Sequence, residues 1–142
     1  MTVLSDEIYS RILYEGKHHS IISCPGLKER TILLDGFSKA YAMTGWRLGY
    51  GVAPKPMIAA MAQLAQNFSS CTTSFIQMAG IEALRGPQDE VEKMVGQFRR
   101  RRDAIVSGLS QLPGFSCAKP RGAFYVFPNI KQTGMTSKNL AN

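Results

Sequence analysis

Lys39 and Arg47 are the residues of this chain whose types and spacing most clearly indicate chemistry. Lys39 follows a strand-like run at residues 31–35, and Arg47 comes eight residues later, between Gly45 and Gly49. An amine that condenses with an aldehyde needs a short, fixed tether and a nearby cation that lowers its pKa. The planar guanidinium group of an arginine suits a phosphate dianion. Together the two side chains indicate one ligand with an aldehyde and a phosphate, which describes pyridoxal 5'-phosphate (PLP).

Three segments of the sequence support this interpretation. They are residues 36–50 (Gly-Phe-Ser-Lys-Ala-Tyr-Ala-Met-Thr-Gly-Trp-Arg-Leu-Gly-Tyr), residues 5–9 (Ser-Asp-Glu-Ile-Tyr) and residues 120–125 (Pro-Arg-Gly-Ala-Phe-Tyr). The first resembles the Schiff-base lysine signature of the class I and II aminotransferases, which have PLP fold type I. The other two are similar to further segments of that family, the last to a strand of its small domain. The matches follow family order from about residue 3 to about residue 130.

The resemblance implies a role for each of five residues. Asp6, at the end of a predicted strand, would pair with the pyridine nitrogen of PLP, and Tyr9 would donate its phenol to the ring oxygen. Lys39 would form the Schiff base and then move a proton as general base and acid. Ser38 and Arg47 would bind the phosphate. We therefore expect Lys39, Asp6 and Tyr9 to be catalytic, and all five to bind the cofactor. Taken alone, Asp6 could instead cap the next turn, and Tyr9 could be a core tyrosine.

The chain also departs from the family pattern. Family members commonly carry a hydroxyl residue two positions before the serine of Ser-Lys, where this chain has Gly36. We expect one phosphate contact to be missing there. The resemblance further implies a phosphate-binding helix start, an aromatic residue stacked on the ring, an asparagine and an arginine for the substrate carboxylate. None of these can be placed in the sequence, so we expect a partial chain that is inactive by itself.

The resemblance implies a function in amino acid metabolism, specifically biosynthesis. The enzyme would exchange an amino group between an amino acid and a 2-oxo acid, and would act as a homodimer whose loop at residues 67–74 faces the neighbouring subunit. Two alternatives stay open. Carbon–sulfur lyases and cyclopropane-forming synthases look alike across this region, and some regulators carry a non-catalytic domain that binds PLP. The choice of substrate cannot be read, because the pocket for its side chain lies mostly outside the chain.

Composition and charge narrow the alternatives. The chain has 142 residues, of which 44% are hydrophobic, and no apolar run approaches the ~18 residues of a membrane span. Cys24, Cys71 and Cys117 lack CxxC spacing, which predicts reduced thiols in a cytoplasmic protein. His18 and His19 do not have the spacing of helical metal ligands. We therefore expect no metal site and no membrane association.

The net charge of +7 raises the question of nucleic-acid binding. The densest basic run is formed by four consecutive arginines at residues 99–102, within a predicted helix. Four successive helical positions point in all directions, so these arginines cannot form one basic stripe. With no aromatic interleaving or recognised motif nearby, we expect no nucleic-acid partner.

The pattern of elements predicts an α/β fold. We expect strands near residues 2–5, 31–35 and 47–53 and helices near 57–68, 74–84 and 87–112, with Thr73 or Ser74 capping the second helix. A strand pair near 115–127 and a helix start at 137–142 would follow. Residues 1–112 would be part of the PLP-binding large domain, with a mixed, mostly parallel sheet and a long connecting helix. Residues 113–142 would begin a small α+β domain.

Overall fold

The computed structural model describes residues 1–141 and has an α/β architecture built on one mixed sheet. Strands β1 (Val3–Asp6), β2 (Thr31–Gly36) and β3 (Gly49–Val52) are hydrogen-bonded in that order. β1 runs parallel to β2, and β3 runs antiparallel to β2. The predicted fold class is confirmed.

The central strand β2 brings the candidate residues to one edge of the sheet. Thr31 and Leu33 are buried, as expected for a central strand with apolar cover. Val3 pairs with Thr31 in the parallel register, and Asp6 pairs with Leu34. Because parallel strands end at the same edge, the segments that follow β1 and β2 leave the sheet side by side.

Gly36 is required by the close approach of β2 to β3. A Cβ atom at this position would lie 2.9 Å from the Cα atom of Gly49 and 2.9 Å from the carbonyl oxygen of Leu48. Both neighbours are backbone atoms, which cannot move aside without distorting the sheet. Any side chain at position 36, including a hydroxyl-bearing one, would therefore strain the strand pair. Glycine at position 36 therefore fits the close approach of the two strands in this chain.

Three helices follow the sheet: α1 (Lys55–Ser69), α2 (Ser74–Arg85) and α3 (Asp89–Ser110). α1 begins where Pro54 and Pro56 end the extended backbone, since a proline is tolerated in the first turn of a helix. Acidic side chains in the first turn of α3 favour its N-terminus through the helix dipole. At ~1.5 Å per residue, its 22 residues span about 33 Å.

The predicted N-cap residue of α2 is correct, but the predicted capping hydrogen bond is absent. Thr73 occupies the N-cap position, yet its side chain makes no capping hydrogen bond. The helix starts without a hydroxyl acceptor for its first amide groups. The boundaries of the predicted helices otherwise agree with the structure to within a few residues.

Arg102 is the buried member of the four-arginine run, and it fastens α3 to the rest of the chain. Its guanidinium group contacts Glu15 at 3.2 Å, Asp103 at 2.9 Å and the carbonyl oxygen of Pro120 at 2.9 Å. The group also lies over the ring of Tyr14, 4.6 Å from its centroid. The other three arginines of the run are exposed. The run therefore does not form one basic stripe, as the helical geometry predicts.

The predicted strand pair at residues 115–127 is wrong. This segment contains two isolated bridges, Leu13 with Gly122 and Ser116 with Asn129, rather than paired strands. Ala123 has a left-handed backbone with φ of 56°, which interrupts an extended chain. Its amide group donates to the carbonyl oxygen of Ile12 at 2.8 Å. The backbone groups of Arg121 and Ala123 thus bond to residues 12–15, and those of Ser116 bond to Asn129, so no strand pair forms within the segment.

The remaining elements are short, and the apolar core lies near the end of β2. Helix α4 (Ser137–Ala141) confirms the predicted helix start, although Asn142 lies outside the described residues. The core is formed by Ile12, Tyr14, Leu33, Phe37, Ala40 and Met43. None of the helices within residues 1–141 combines the length and apolar character needed to cross a bilayer.

Candidate active site

Lys39 lies in the turn that follows β2 and is half-buried. Its Nζ atom is 5.8 Å from the centroid of the Phe124 ring, close enough for a cation–π contact. The turn closes where the amide of Phe37 donates to the carbonyl oxygen of Leu48 at 3.1 Å. A second bond crosses it, from the Oγ1 hydroxyl of Thr44 to the carbonyl oxygen of Ser38 at 3.0 Å. The amine therefore stands on a short, internally bonded tether.

Arg47 lies near the C-terminal end of the same turn. Its backbone has φ of 56°, a left-handed conformation that is uncommon outside glycine. Its Nη1 atom donates to the carbonyl oxygen of Thr44 at 2.9 Å, and the side chain is exposed. Within residues 1–141 no salt bridge includes this guanidinium group. Its other N–H groups can therefore serve an anionic ligand.

Arg47 and the hydroxyl-rich segment that joins α1 to α2 line the same cleft. The cleft holds about 700 Å³ and includes Ser69, Ser70, Thr72 and Thr73. A guanidinium group and several hydroxyl groups in one cleft provide donors for a phosphate. This donor set fits the phosphate end of the expected cofactor.

Asp6 ends β1 and is exposed. Its Oδ1 atom accepts the amide N–H of Ile8 at 3.2 Å, so the residue does cap the turn that follows the strand. No salt bridge within the described part of the chain includes Asp6. The carboxylate therefore has capacity left to pair with a protonated ring nitrogen. The two interpretations of Asp6 do not exclude each other.

Tyr9 contacts an aromatic pair that lies beyond α3. Its hydroxyl oxygen is 2.5 Å from that of Tyr125, and its ring meets that of Phe124 edge to face, with centroids 5.2 Å apart. Burial raises the pKa of Tyr9 to about 12, with further contributions from the Tyr125 hydrogen bond and the nearby charge of Asp6. Tyr9 is therefore protonated at neutral pH and can donate a hydrogen bond.

The structure brings some of the five predicted residues together directly and others only through intermediates. Tyr9 and Lys39 both contact the ring of Phe124. Asp6 and Tyr9 line a shared open cleft of about 540 Å³. Ser38 and Arg47 are linked through Thr44, but Arg47 lines a separate cleft from Asp6 and Tyr9. The arginine expected at the phosphate and the two residues expected at the ring therefore line different clefts.

Phe124 and Tyr125 are the site residues that the sequence-based reasoning missed. Both belong to the matched segment at residues 120–125, but that match alone predicts a strand and not a contact with the site. The sequence signal that could have indicated their role is their position immediately after Gly122 and Ala123. The chain turns at Ala123, whose φ is 56°, and this turn brings Phe124 and Tyr125 to Tyr9.

Glu7 is a third residue that the sequence-based reasoning missed, and it supports the strand end that carries Asp6. It is buried, and its carboxylate accepts hydrogen bonds from His18 at 2.5 Å, Ser20 at 2.9 Å and the amide of Ile21 at 3.1 Å. Burial raises the pKa of Glu7, but these hydrogen bonds outweigh burial and hold it below the ordinary value of 4.5. The ionised carboxylate ties the loop at residues 18–21 to the strand end next to Asp6.

Comparison with known sequences identifies the family. A model of the family described as aminotransferase class I and II matches residues 1–142. The chain belongs to the class I and II aminotransferases. It is 46% identical over 139 residues to a putative aminotransferase, YugH, of Bacillus subtilis strain 168, covering 98% of this chain and 36% of that protein. It is also 46% identical over 132 residues to an aspartate aminotransferase of Geobacillus stearothermophilus, covering 92% and 34% respectively.

Solved aminotransferase structures share the fold. The crystal structure of an aromatic aminotransferase from Pyrococcus horikoshii OT3 superimposes with a TM-score of 0.93 at 42% identity, covering 99% of this chain and 38% of that one. The chain spans about a third of the length of the aminotransferases that it matches. The predicted family is thereby confirmed.

Residues 1–141 contain no group of three or more histidine, cysteine, aspartate and glutamate side chains that could hold a metal ion. His18, the neighbour of His19 in the sequence, forms a hydrogen bond with Glu7. Cys24, Cys71 and Cys117 are free thiols.

Proposed function

We propose that this chain is the lysine-bearing portion of a PLP-dependent aminotransferase. The enzyme transfers an amino group between an amino acid and a 2-oxo acid. The observation that carries the proposal is the position of Lys39, which stands on a hydrogen-bonded turn at the end of β2 with its amine against the Phe124 ring that Tyr9 also contacts. The names of the relatives support transamination over the lyase, synthase and regulator alternatives, since the similar proteins cited above are named aminotransferases.

PLP, when bound, supplies an aldehyde that holds an amino group and a ring that accepts electrons. In this proposal the Nζ atom of Lys39 would hold the aldehyde of PLP and would move a proton to and from the substrate Cα. Asp6 would keep the proton on the ring nitrogen, and Tyr9 would donate to the ring oxygen. Arg47 and Ser38 would hold the phosphate, together with the hydroxyl groups of the loop after α1.

We propose that the matched segments belong to two domains. Residues 1–112 form part of the PLP-binding large domain, including the connecting helix α3, and residues 113–142 begin the small domain. The length of α3 supports a connecting role, because a helix of about 33 Å can join two cores. The contact between residues 12–15 and residues 121–123 would then lie at the junction of the domains.

We also propose a homodimer in the cytoplasm that serves amino acid biosynthesis. Large apolar side chains lie in and next to the loop at residues 67–74: Phe68 is 85% exposed, and Phe75 is 67% exposed. Exposed aromatic side chains in one region are typical of a surface that another protein segment covers. They support the expectation that this loop faces a neighbouring subunit.

Amino-group transfer is best tested on the protein encoded by the complete reading frame that contains this chain (the complete protein). We expect aspartate or an aromatic amino acid to be converted to its 2-oxo acid only when a 2-oxo acid acceptor is present. The Lys39→Ala variant should lose at least about a thousandfold in rate, because it lacks the amine. Release of pyruvate and ammonia from cystathionine without an acceptor would establish a lyase instead.

A further inference from the structure

Tyr125 lies outside the expected set of site residues, yet its phenol contacts that of Tyr9. The hydroxyl oxygens are 2.5 Å apart, and the rings meet edge to face with centroids 5.5 Å apart. Phe124 packs against both rings, at 5.2 Å from Tyr9 and 4.9 Å from Tyr125. The hydrogen bond is therefore held between rings that pack against one another.

The direction of this hydrogen bond decides what Tyr9 can do. A phenol has a single O–H group, which donates to one acceptor at a time, while its oxygen can also accept. When Tyr125 donates to the oxygen of Tyr9, the proton of Tyr9 is free for a ligand. When Tyr9 donates to Tyr125, that proton is already used. Tyr125 is 59% exposed, so water can accept its proton or replace its bond to Tyr9 in the unliganded protein.

We propose that Tyr125 is a positioning residue for Tyr9: its hydroxyl group donates to the Tyr9 oxygen and directs the Tyr9 proton to the ring oxygen of the bound cofactor. This inference rests on the proposed function and adds a residue to it. The high pKa of Tyr9 is consistent with the arrangement, because Tyr9 keeps the proton that it must donate.

The position of Tyr125 in the chain gives this contact a second consequence. Tyr125 follows α3, whereas Tyr9 follows β1, and the bond joins residues that are 116 positions apart. Phe124, the neighbour of Tyr125, contacts the Lys39 amine. The same two-residue segment therefore contacts both the proton donor and the amine, so its placement sets the orientation of both.

The test uses four variants of the complete protein: Tyr125→Phe, Tyr9→Phe, the double variant and a control, Tyr41→Phe. The readouts are the pH midpoint of the visible absorbance change of bound PLP and the dissociation constant of PLP. The control is matched because it also removes one hydrogen-bonded tyrosine hydroxyl group: that of Tyr41 accepts a hydrogen bond from Arg11 at 2.7 Å. Tyr125 is largely exposed and phenylalanine retains the ring, so packing is preserved in Tyr125→Phe.

We expect Tyr125→Phe to raise the pH midpoint in the same direction as Tyr9→Phe but by less. Tyr9 keeps its own hydroxyl group but loses the hydrogen bond that Tyr125 donates to its oxygen, so it becomes a weaker and less well oriented donor to the anionic ring oxygen. The dissociation constant of PLP should rise about fivefold, the effect of one lost hydrogen bond. The double variant should match Tyr9→Phe alone, since Tyr125 acts through Tyr9. Tyr41→Phe should match the wild type.

An unchanged midpoint in Tyr125→Phe would overturn the inference, as would shifts that simply add in the double variant. In both cases a wild-type protein that forms the coloured complex would leave the proposed function standing. A wild-type protein that forms no coloured complex with PLP would overturn the proposed function and the inference together.

Discussion

The hydrogen-bond partners of Glu7 could not all be predicted from the sequence, although Glu7 lies within the matched segment at residues 5–9. Residues 5–9 match the family as a string, and the string points to Asp6 and Tyr9. Ser5 lies nearby, but the other partners of Glu7, namely His18, Ser20 and Ile21, lie more than ten positions away, so no local pattern predicts them. Asp6 and Tyr9 could be named because the resemblance of residues 5–9 to the family implies a role for each of them.

We expect Glu7→Gln to lower the free energy of unfolding by about 2 kcal/mol at pH 7, because charge-assisted hydrogen bonds are lost. The folded-state pKa of Glu7 is depressed, so its stabilising effect is present above the ordinary value of 4.5 and disappears as the pH falls below it. The difference between wild type and variant should therefore shrink in acid. Urea unfolding of the complete protein from pH 7 to pH 3 measures this difference.

Glu90→Gln is the matched control for this measurement. Glu90 forms an exposed pair with Lys93 on the surface of α3, and its loss should change the free energy of unfolding by less than about 0.5 kcal/mol. A difference between wild type and Glu7→Gln that stays constant from pH 7 to pH 3 would contradict the assigned role of the Glu7 carboxylate.

Arg102→Met should lower the free energy of unfolding by about 3 kcal/mol. The change leaves Glu15, Asp103 and the Pro120 carbonyl without their buried partner. The expected loss is at the lower end of the range for breaking a buried ion pair, because both carboxylates are half exposed. Arg100→Met removes an exposed arginine from the same helix and should cost less than about 0.5 kcal/mol. Equal effects in guanidinium chloride unfolding would contradict the fastening role of Arg102.

Among the elements, the helices and central strands were predicted well, and the segment after α3 was not. Periodicity of 3.6 residues and a continuous apolar run are local signals, so α1, α3 and β2 could be read from the sequence. The pairing of residues 121–123 with residues 12–15 depends on the tertiary fold, which overrides a weak strand pattern. Gly36 is a similar case, because only the approach of β3 explains it.

Gly80 and Gly96 offer a matched pair of substitutions in two helices. A Cβ atom at Gly80 would lie 2.6 Å from a methyl carbon of Leu48 and 3.5 Å from the Phe37 ring, whereas Gly96 has open space. We expect Gly80→Ala to lower the free energy of unfolding by about 1 kcal/mol, since overpacking exceeds the gain in helix propensity. Gly96→Ala should raise it by about 1 kcal/mol. Thermal unfolding should show shifts of opposite sign; shifts of the same sign would contradict this packing.

At the scale of the whole molecule, the chain leaves large apolar side chains uncovered. Phe127 is 97% exposed and Phe68 is 85% exposed, and the related aminotransferases are about three times as long as this chain. We expect the isolated 142-residue chain to bind a hydrophobic dye strongly and to self-associate in sedimentation velocity experiments, whereas the complete protein binds the dye weakly. An isolated chain that is monomeric and dye-free would contradict this expectation.

The central claim is that the amine of Lys39 holds PLP, and covalent trapping tests it most directly. The complete protein is mixed with PLP, reduced with borohydride and digested with trypsin, and the peptides are mapped by mass. We predict a pyridoxyl group on the peptide of residues 31–47, left uncut at Lys39, and no such label in Lys39→Arg. Lys55→Arg, a matched change at an exposed lysine, should keep the label. A label that maps to another lysine, or that persists in Lys39→Arg, would contradict the account.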